Sequence, residues 1–300
     1  MNDYMAHKPV MAKQVAELLV SNEEGIYVDA TAGSGGHLSF FSGNYPEAMF
    51  VGVDIDPEAV QFLLNKFSDA SNVRILRGNY ADLPELLQGI GIAQVHGILL
   101  DLGISMHQAL SAERGFSIKN PGPLDMRFSA DQKVTAYQLV NELSEEQLAE
   151  IIYKYGEEPK ARRIAKAVVE ARKTKPLETT DELANLVVRT VGYSRGRIHP
   201  ATRVFQALRI ATNQELENLE EALPRLLGVL REGGRLAVIS YHSLEDRIVK
   251  QFFKTWEEED QGMSLTKKVI KPSLEETKEN PSSRSAKLRV FMKGVGGSEN

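Results

Sequence analysis

GIYVDATAGSGGH, residues 25–37, is the stretch of this chain that decides its fold. Its first half is an apolar run that ends in Asp29, and its second half is a glycine-rich turn. Hydrophobic residues at helical spacing resume immediately afterwards, at Leu38 and Phe41. This order of residues predicts a buried strand, a tight loop and the beginning of a helix.

A second apolar segment, residues 50–53, ends at Asp54, which lies 19 positions after Gly35. In a Rossmann unit, an acidic residue about 20 positions beyond the glycine-rich loop binds the ribose hydroxyls of a nucleotide. The sequence therefore predicts a nucleoside-binding site in the first part of the chain.

The composition is that of a globular protein with one large domain or two modest ones. Of the 300 residues, 42% are hydrophobic and 26% are charged, as in soluble proteins. No cationic leader precedes an apolar run at the N-terminus, so no secretory signal is expected. The apolar run at residues 97–100 is far shorter than the roughly 18 residues that a membrane span needs. We therefore expect a cytoplasmic protein without a membrane partner.

The chain contains no cysteine. This absence excludes disulfides, thiolate zinc sites and iron–sulfur clusters. It also excludes a cysteine nucleophile, on which methylation of a pyrimidine ring carbon commonly relies. No metal-ligand pattern is visible among the remaining residues, and we expect no metal site.

Charge is distributed unevenly along the chain. The whole sequence has a net charge of −5, which by itself argues against a nucleic-acid partner. Residues 154–209, however, include 13 Lys/Arg and 6 Asp/Glu, a local net charge of +7, while the remainder carries −12. This asymmetry indicates a basic face on an acidic body. The alternative is a solvated helical surface with internal ion pairs.

Strands and helices are predicted to alternate at the beginning of the chain, which favours a parallel sheet with right-handed crossovers. The last two strands are expected to form a hairpin at one edge of this sheet. The predicted strands are Ile26–Asp29, Met49–Asp54, residues 73–76, residues 96–101, residues 235–240, residues 265–270 and residues 287–292.

Helical patterns replace this alternation between about residues 134 and 209. We interpret them as an insertion at residues 108–211, which divides an α/β core formed by residues 1–107 and 212–300. Asp56 followed by Pro57 predicts the beginning of an earlier helix in the core. Capping boxes predict four further helix N-termini, by the pairs Ser144 with Gln147, Thr179 with Glu182, Thr212 with Glu215, and Ser243 with Asp246.

The glycine-rich loop discriminates between cofactors. A dinucleotide fingerprint has glycine at its first, third and sixth positions. Gly33 and Gly35 fit, but the sixth position is Leu38, and the Gly35-Gly36 pair leaves room for a bulkier group. S-adenosylmethionine fits better, because it has a ribose for Asp54, no pyrophosphate, and an amino-acid tail that needs backbone contacts.

The sequence also resembles the RsmH (MraW) family. The matching blocks cover nearly the whole chain, and they are His7-Lys8-Pro9-Val10, residues 29–37, residues 101–105, residues 113–117, residues 122–127, residues 155–158, residues 199–203, residues 240–247 and residues 284–289. This resemblance implies an α/β class I methyltransferase core, Rossmann-like, with a seven-stranded and mostly parallel sheet and an inserted helical domain.

The resemblance implies S-adenosylmethionine-dependent methylation of the N4 amino group of a cytidine in the decoding centre of 16S rRNA. The implied partner is 16S rRNA or the small ribosomal subunit; no protein partner is expected, and a homo-oligomer stays open. Gly33 is a candidate from the loop pattern, and the resemblance implies cofactor contacts at Gly35, Gly36, His37, Asp54, Tyr80, Asp101 and Gln108.

The N4 amino group of cytosine is a poor nucleophile, because its lone pair is delocalised into the ring. Hydrogen-bond acceptors around it and in-line positioning would favour its attack. Asp101 and Ser105, in the loop after the fourth strand, are the predicted acceptors, and His242 is a further catalytic candidate. Asp101 could alternatively be a cofactor-binding carboxylate with no catalytic part.

Several residues are predicted to face the RNA, with structural ion pairs as the alternative: Asp125, Arg127, His199, Arg203 and Arg209. Tyr241 could stack on the flipped cytosine or hold it. His37 is expected to bind rather than act as a base, and Tyr80 to lie either against adenine or in the core.

Two rival functions follow from the same sequence. One is amino methylation of DNA or of a small molecule, and the basic insertion argues against the small molecule. The other is a ribosome assembly factor that binds RNA without catalysis and keeps a relic cofactor pocket.

Overall fold

A computed structural model describes residues 8–193 and 198–294. Two compact units are present: the residues up to Gly103 together with those from Leu216 onward form one, and Ile104–Glu215 form the other. We call them the sheet unit and the helical unit. The sequence-based division lies within four residues of each of these boundaries. His7, in the first block of the family resemblance, lies outside the described residues.

The sheet unit is built on seven strands in the order β3-β2-β1-β4-β5-β7-β6. The first five strands pair in parallel, and β7 pairs antiparallel with both β5 and β6. This topology is the class I methyltransferase fold that the sequence predicted. The strands are β1 Ile26–Asp29, β2 Met49–Asp54, β3 Val73–Arg77, β4 Val95–Asp101, β5 Leu230–Ser240, β6 Gly262–Ser264 and β7 Lys287–Lys293.

Both faces of this sheet are buried, which explains the continuously apolar strands. Successive residues point to opposite faces, so Tyr27 and Leu99 lie in one apolar cluster while Val28 and Leu100 lie in another. Helices α1 to α3 cover the first face, and α4, α11 and α12 cover the second. The helices of the sheet unit are α1 Ala12–Leu19, α2 Gly36–Asn44, α3 Pro57–Lys66, α4 Leu83–Gly89, α11 Glu215–Val229, α12 Ser243–Glu258 and α13 Leu274–Glu279.

Among the described residues of the helical unit, five short-to-medium helices pack around an apolar core of their own, and a sixth helix, α5, begins the unit. Two of the three capping boxes predicted in this unit are present, at Ser144 with Gln147 and at Thr179 with Glu182. Along the described residues, no helix has the length and apolar character needed to cross a bilayer. The helices are α5 Met106–Leu110, α6 Ala136–Glu142, α7 Glu145–Gly156, α8 Ala161–Thr174, α9 Thr180–Val191 and α10 Thr202–Asn213.

The predicted strand at residues 265–270 is wrong in its bounds, although the predicted antiparallel edge pairing is present. β6 pairs with β7 only over Gly262–Ser264. Beyond it, the Thr266 hydroxyl accepts the N–H of Val290 at 3.0 Å. The Thr266 side chain thus takes the place of a backbone carbonyl as the partner of the Val290 N–H, and the regular β-ladder ends there. Further along, Ile270 forms only an isolated bridge with Leu288.

Two predicted helix caps are also wrong. Thr212 is a buried residue of α10, which continues to Asn213 and ends with Gln214 in the left-handed conformation at φ 50°. At the beginning of α12, the cap is His242 rather than Ser243, because the longer Glu245 side chain closes the capping box.

Candidate functional site

The glycine-rich loop after β1 is fixed by the carboxylate of Asp54. The N–H of Gly33 donates to Asp54 Oδ2 at 2.7 Å, and the N–H of Asp56 donates to Oδ1 at 2.9 Å. Gly35 has φ +71°, and Lys66 Nζ donates to the carbonyls of Ser34 and Gly35 at 2.8 and 3.3 Å. The loop is therefore held at both ends before any ligand binds.

These contacts leave Asp54 suited to a ribose. Each carboxylate oxygen has two lone pairs, and one on each oxygen is already engaged by a backbone N–H. Burial raises the pKa of Asp54 to about 6, against the opposing effect of the N–H donors of Asp56 and Gly33. The carboxylate is thus ionised at neutral pH and oriented to accept hydroxyl donors, so this end of the site fits S-adenosylmethionine.

Close packing between α2 and the sheet does not depend on a glycine at position 38. Leu38 occupies the place of the third fingerprint glycine, and Gly52 on β2 makes room for it. A Cβ built on Gly52 would lie 2.4 Å from Leu38 Cδ1 and 3.1 Å from Ile75 Cδ1. The glycine that permits close packing therefore lies on strand β2, at Gly52, rather than on helix α2.

Asp29, at the end of β1, is a buried acid with a raised pKa. Only 2% of the residue is exposed, and its Oδ1 accepts the N–H of Thr31 at 3.2 Å. Burial raises the pKa of Asp29 to about 7, with a lowering effect of His37 and raising effects of Asp101 and Asp54. At neutral pH this group is therefore partly protonated in the cofactor-free protein.

We expect Asp29→Asn to flatten the pH dependence of stability. The folded pKa of about 7 lies above the ordinary aspartate pKa of 3.8, so between these two pH values the folded state keeps a proton that the unfolded state releases. Stability from this group is therefore largest below pH 4 and falls as the pH rises to 7, by on the order of 3 kcal/mol.

Thermal or urea unfolding of the cofactor-free protein at pH 4.5, 6 and 7.5 checks this expectation. Asp69→Asn, at an exposed aspartate, is the matched control and should leave the slope unchanged. An Asp29→Asn protein with the wild-type slope would contradict the assignment.

Asp101, at the end of β4, is held through both its backbone and its side chain. Its N–H donates to Thr31 Oγ1 at 2.7 Å, and Tyr241 Oη donates to its Oδ1 at 2.7 Å. His37 Nδ1 lies 3.7 Å from Oδ2, while His37 Nε2 is 2.9 Å from the carbonyl of Val10. Backbone and carboxylate are both fixed, with Oδ2 turned toward a buried imidazole.

The pairing of β4 with β5 brings Tyr241 to Asp101, because Asp101 lies opposite Ile239 in the register. Burial, followed by the negative charge of Asp101, raises the pKa of Tyr241 well above its usual value. The phenol therefore keeps its proton and acts as a donor. Tyr241 thus orients Asp101, and its predicted contact with the flipped cytosine stays a prediction.

His242 and Glu245 form the turn that follows Tyr241. Glu245 Oε2 accepts the N–H groups of Tyr241 and His242 at 2.8 and 3.3 Å, and the N–H of Glu245 points to His242 Nδ1 at 3.4 Å. His242 Nε2 lies 3.0 Å from Glu245 Oε1. Both ring nitrogens of His242 face Glu245, which gives this residue a structural role; its catalytic role stays a prediction.

The two remaining candidates of the sheet unit, Gly36 and Tyr80, lie where a helix and a turn begin. Gly36 is the first residue of α2, whose N-cap is Gly35. Tyr80 begins the 3₁₀ turn Tyr80–Asp82 after β3 and packs, partly buried, against the apolar cluster that contains Val53 and Leu83.

Two candidates of the helical unit bind each other. Ser105 is the N-cap of α5, and its hydroxyl accepts the N–H of Gln108 at 3.2 Å. Gln108 Oε1 accepts the N–H of Ser105 at 3.1 Å, and Gln108 is buried. The roles predicted for them, as acceptor and cofactor contact, stay predictions.

Three residues predicted to face RNA form internal ion pairs. Arg127 Nη2 lies 2.8 Å from Asp125 Oδ2, and its Nη1 donates to the carbonyls of Ala130 and Gln132. Burial opposes the charge of Asp125, yet the hydrogen bonds of Arg127 leave the pKa of Asp125 below its usual value. Arg209 binds Glu215 with two hydrogen bonds of 2.7 and 2.9 Å. These contacts are structural, and contact with RNA stays a prediction.

The sequence did not indicate three residues that hold the site in place through contacts formed only in the folded chain. They are Thr31, Lys66 and Glu245. The sequence signal for Glu245 was its place three residues after His242, but histidine is not among the usual N-cap residues. Lys66 and Thr31 had no signal, because their partners are backbone atoms brought close only by the fold.

The chain matches a family model and named relatives over nearly its whole length. A model of the MraW methylase family matches residues 4–294. A protein of Coprothermobacter proteolyticus named ribosomal RNA small subunit methyltransferase H is 81% identical over 300 residues, covering all of both chains. A protein of the same name from Thermosipho melanesiensis is 44% identical over 287 residues, covering 95% of this chain and 96% of its own. Among solved structures, an rRNA methylase from Streptococcus thermophilus aligns over 95% of this chain and 94% of its own, with 13% identity and a TM-score of 0.44.

Proposed function

Since the chain belongs to the MraW methylase family, we propose that it methylates the N4 amino group of a cytidine in the decoding centre of 16S rRNA. The chain is a class I methyltransferase, and S-adenosylmethionine is its cofactor. The observation that carries the N4 proposal is the carboxylate of Asp101 at the end of β4, which Tyr241 orients while Thr31 accepts the backbone N–H of the same residue. A ribosomal RNA substrate would place the reaction in the cytoplasm.

S-adenosylmethionine supplies an electrophilic methyl group on a positively charged sulfur. The residues proposed to bind it in the sheet unit are those of the loop and the strand ends, with Asp54 on the ribose hydroxyls. In the helical unit, Gln108 is the proposed contact. The complete proposed set is Gly33, Gly35, Gly36, His37, Asp54, Tyr80, Asp101 and Gln108.

Asp101 is proposed to accept a hydrogen bond from the cytosine amino group. Such an acceptor draws an amino hydrogen aside and favours the pyramidal geometry in which the nitrogen lone pair can attack. Preorganised groups of this kind act without reorganising during the reaction. The Tyr241 hydroxyl supports this role, because it holds one carboxylate oxygen and leaves the orientation of the other defined. Ser105 is proposed as a second acceptor.

The absence of cysteine supports methylation of nitrogen rather than of a ring carbon. Carbon methylation of pyrimidines commonly uses a thiol that adds to the ring, and this chain has none. The target base has to leave its stack to reach a buried methyl donor. We propose that the helical unit, with its excess of basic residues, binds the RNA substrate.

Nucleoside mass spectrometry tests the proposal. Purified protein, labelled S-adenosylmethionine and small ribosomal subunits or 16S rRNA from cells lacking this activity should yield labelled N4-methylated cytidine at one position. Labelled 5-methylcytidine or a ribose-methylated nucleoside would contradict the N4 assignment. Methylation of DNA or of free cytidine at a comparable rate would contradict the RNA substrate, and cofactor binding without any labelled product would favour the non-catalytic alternative.

A further inference from the structure

One end of the helical unit gathers exposed cations and an aromatic pair from four different helix ends. Lys160 Nζ donates to the carbonyl of Val191 at 3.1 Å, which joins the approach to α8 with the end of α9. Arg203, at the beginning of α10, donates to the carbonyl of Glu157 at 3.2 Å, beyond the end of α7. We call the residues Lys160, Arg162, Arg163, Tyr193, His199 and Arg203 the basic end.

The cations of the basic end are available to a ligand. Arg162 and Arg163 are exposed residues of the first turn of α8, and no carboxylate among the described residues lies within ion-pair distance of either guanidinium. Arg203 is 54% exposed in its side chain and lies 3.8 Å from Glu158, a loose contact. By contrast, Arg172 on the same helix donates to the carbonyls of Val140 and Leu143, and Lys173 pairs with Glu170.

Close packing of α7 against α10 fixes the position of the basic end. The Cβ that a larger residue would add at Gly156 lies 2.5 Å from the carbonyl oxygen of Arg203. The last turn of α7 therefore touches the first turn of α10 backbone to backbone. Glu157 and Glu158 directly follow α7 in this neighbourhood, and Glu158 Oε1 already accepts the N–H of Lys160 at 3.0 Å.

The aromatic pair indicates the kind of partner. Tyr193 is 72% exposed, and its ring meets that of His199 edge to face, with centroids 5.8 Å apart and an interplanar angle of 88°. His199 Nδ1 accepts the N–H of Ala201 at 3.1 Å, which holds the imidazole in place. A fixed and exposed aromatic ring beside cations is the arrangement on which unstacked bases of single-stranded RNA are held.

We propose that the basic end binds an unpaired segment of RNA, with a base stacked on Tyr193 and the phosphates on Lys160, Arg162, Arg163 and Arg203. This proposal rests on the proposed rRNA substrate and names the surface that recognises it. An acidic protein would use the same cations, but it would gain little from an exposed tyrosine. Duplex RNA would meet the cations but keep its base faces hidden.

The test measures the affinity of the full chain for a fluorescein-labelled, unstructured 12-nucleotide RNA at several salt concentrations. Removing two phosphate contacts lowers the slope of log K against log salt by about 1.4, and we expect this change for Arg162→Ala with Arg163→Ala. Tyr193→Ala should weaken binding by about 10-fold with little change of slope. Lys173→Ala, which removes an exposed cation at the other end of α8, is the matched control and should behave as wild type.

Two controls make the outcome decisive. Affinity for S-adenosylmethionine and the melting temperature should stay at wild-type values in all variants, so that a loss of folding is recognised. A double-stranded RNA of the same length should show the loss for the arginine variant but none for Tyr193→Ala. Polyglutamate that competes as well as the RNA, with no effect of Tyr193→Ala, would overturn the assignment to RNA.

Failure of this inference and failure of the proposed function are distinguishable. If the variants bind RNA and methylate 16S rRNA as wild type does, the basic end is not the recognition surface, while the function stands. If wild-type protein binds RNA through the basic end but produces no methylated nucleoside, the surface stands and the function fails.

Discussion

Replacing Asp101 by alanine is expected to lower kcat by about 1,000-fold, as the loss of one preorganised group in an active site does. The carboxylate that Tyr241 orients would be absent, although the backbone hydrogen bond of residue 101 to Thr31 would remain. Asp101→Asn keeps one oxygen acceptor but adds donors, so we expect a loss of about 100-fold. Single-turnover kinetics at saturating cofactor measure both values.

The same measurement distinguishes an acceptor for the substrate from a carboxylate that only binds cofactor. In the first case kcat falls while the Kd for S-adenosylmethionine changes little. In the second case the Kd rises and kcat at saturation stays near the wild-type value. A variant with both constants unchanged would remove Asp101 from the mechanism.

Tyr241→Phe supplies a graded version of this experiment. It keeps the carboxylate but removes the 2.7 Å hydrogen bond that orients Oδ1, so Tyr241 is a positioning residue. We expect kcat to fall by about 10-fold while KM for the RNA stays constant. Tyr45→Phe, at a partly exposed tyrosine at the end of α2, is the control for loss of a phenol and should leave kcat unchanged.

The predictable part of the fold is the part that local sequence determines. The apolar run before Asp29, the glycines after it and the aspartate cap at Asp56 each act within a few residues, and β1, the loop and α3 follow them. The edge strand β6 was misplaced because its end depends on the Thr266 hydroxyl, which meets Val290 only after the sheet has assembled. Hydrophobic alternation at residues 265–270 carried no information about that contact.

In the candidate site, too, local sequence predicted some contacts, while others depend on residues far apart in the chain. The spacing from Gly35 to Asp54 predicted an acid beside the loop, and the register of β1 with β2 places it there. The contact of Tyr241 with Asp101 joins residues 140 positions apart, so no local pattern could indicate it. The cap at His242 was missed because Ser243 and Asp246 offered the usual pair of residue types, while the carboxylate of Asp246 is held by Arg289 at 2.8 Å.

Asp54→Ala is expected to weaken S-adenosylmethionine binding by at least 100-fold, because it leaves the ribose hydroxyls without a charged acceptor. Wild-type affinity should also depend on pH. The pKa of Asp54 is raised to about 6, and only the ionised carboxylate can hold the Gly33 N–H and the hydroxyls together. Affinity should therefore rise with pH through 6 and be about tenfold lower at pH 5 than at pH 7.5.

Calorimetry with S-adenosylmethionine and with an analogue lacking the ribose 2′-hydroxyl separates the ribose contact from damage to the loop. If Asp54 binds the ribose, the analogue binds the wild-type protein weakly. The Asp54→Ala substitution then lowers the affinity for the analogue by a much smaller factor than the affinity for S-adenosylmethionine. If the substitution only releases Gly33, both ligands lose affinity by the same factor, and the assignment of Asp54 to the ribose fails. Asp69→Asn should retain wild-type affinity and the wild-type pH profile. The Asp54 carboxylate thus has two roles, to hold the glycine-rich loop and to bind the ribose. The two are linked because the hydrogen bond from the Gly33 N–H also orients the carboxylate toward the ribose hydroxyls.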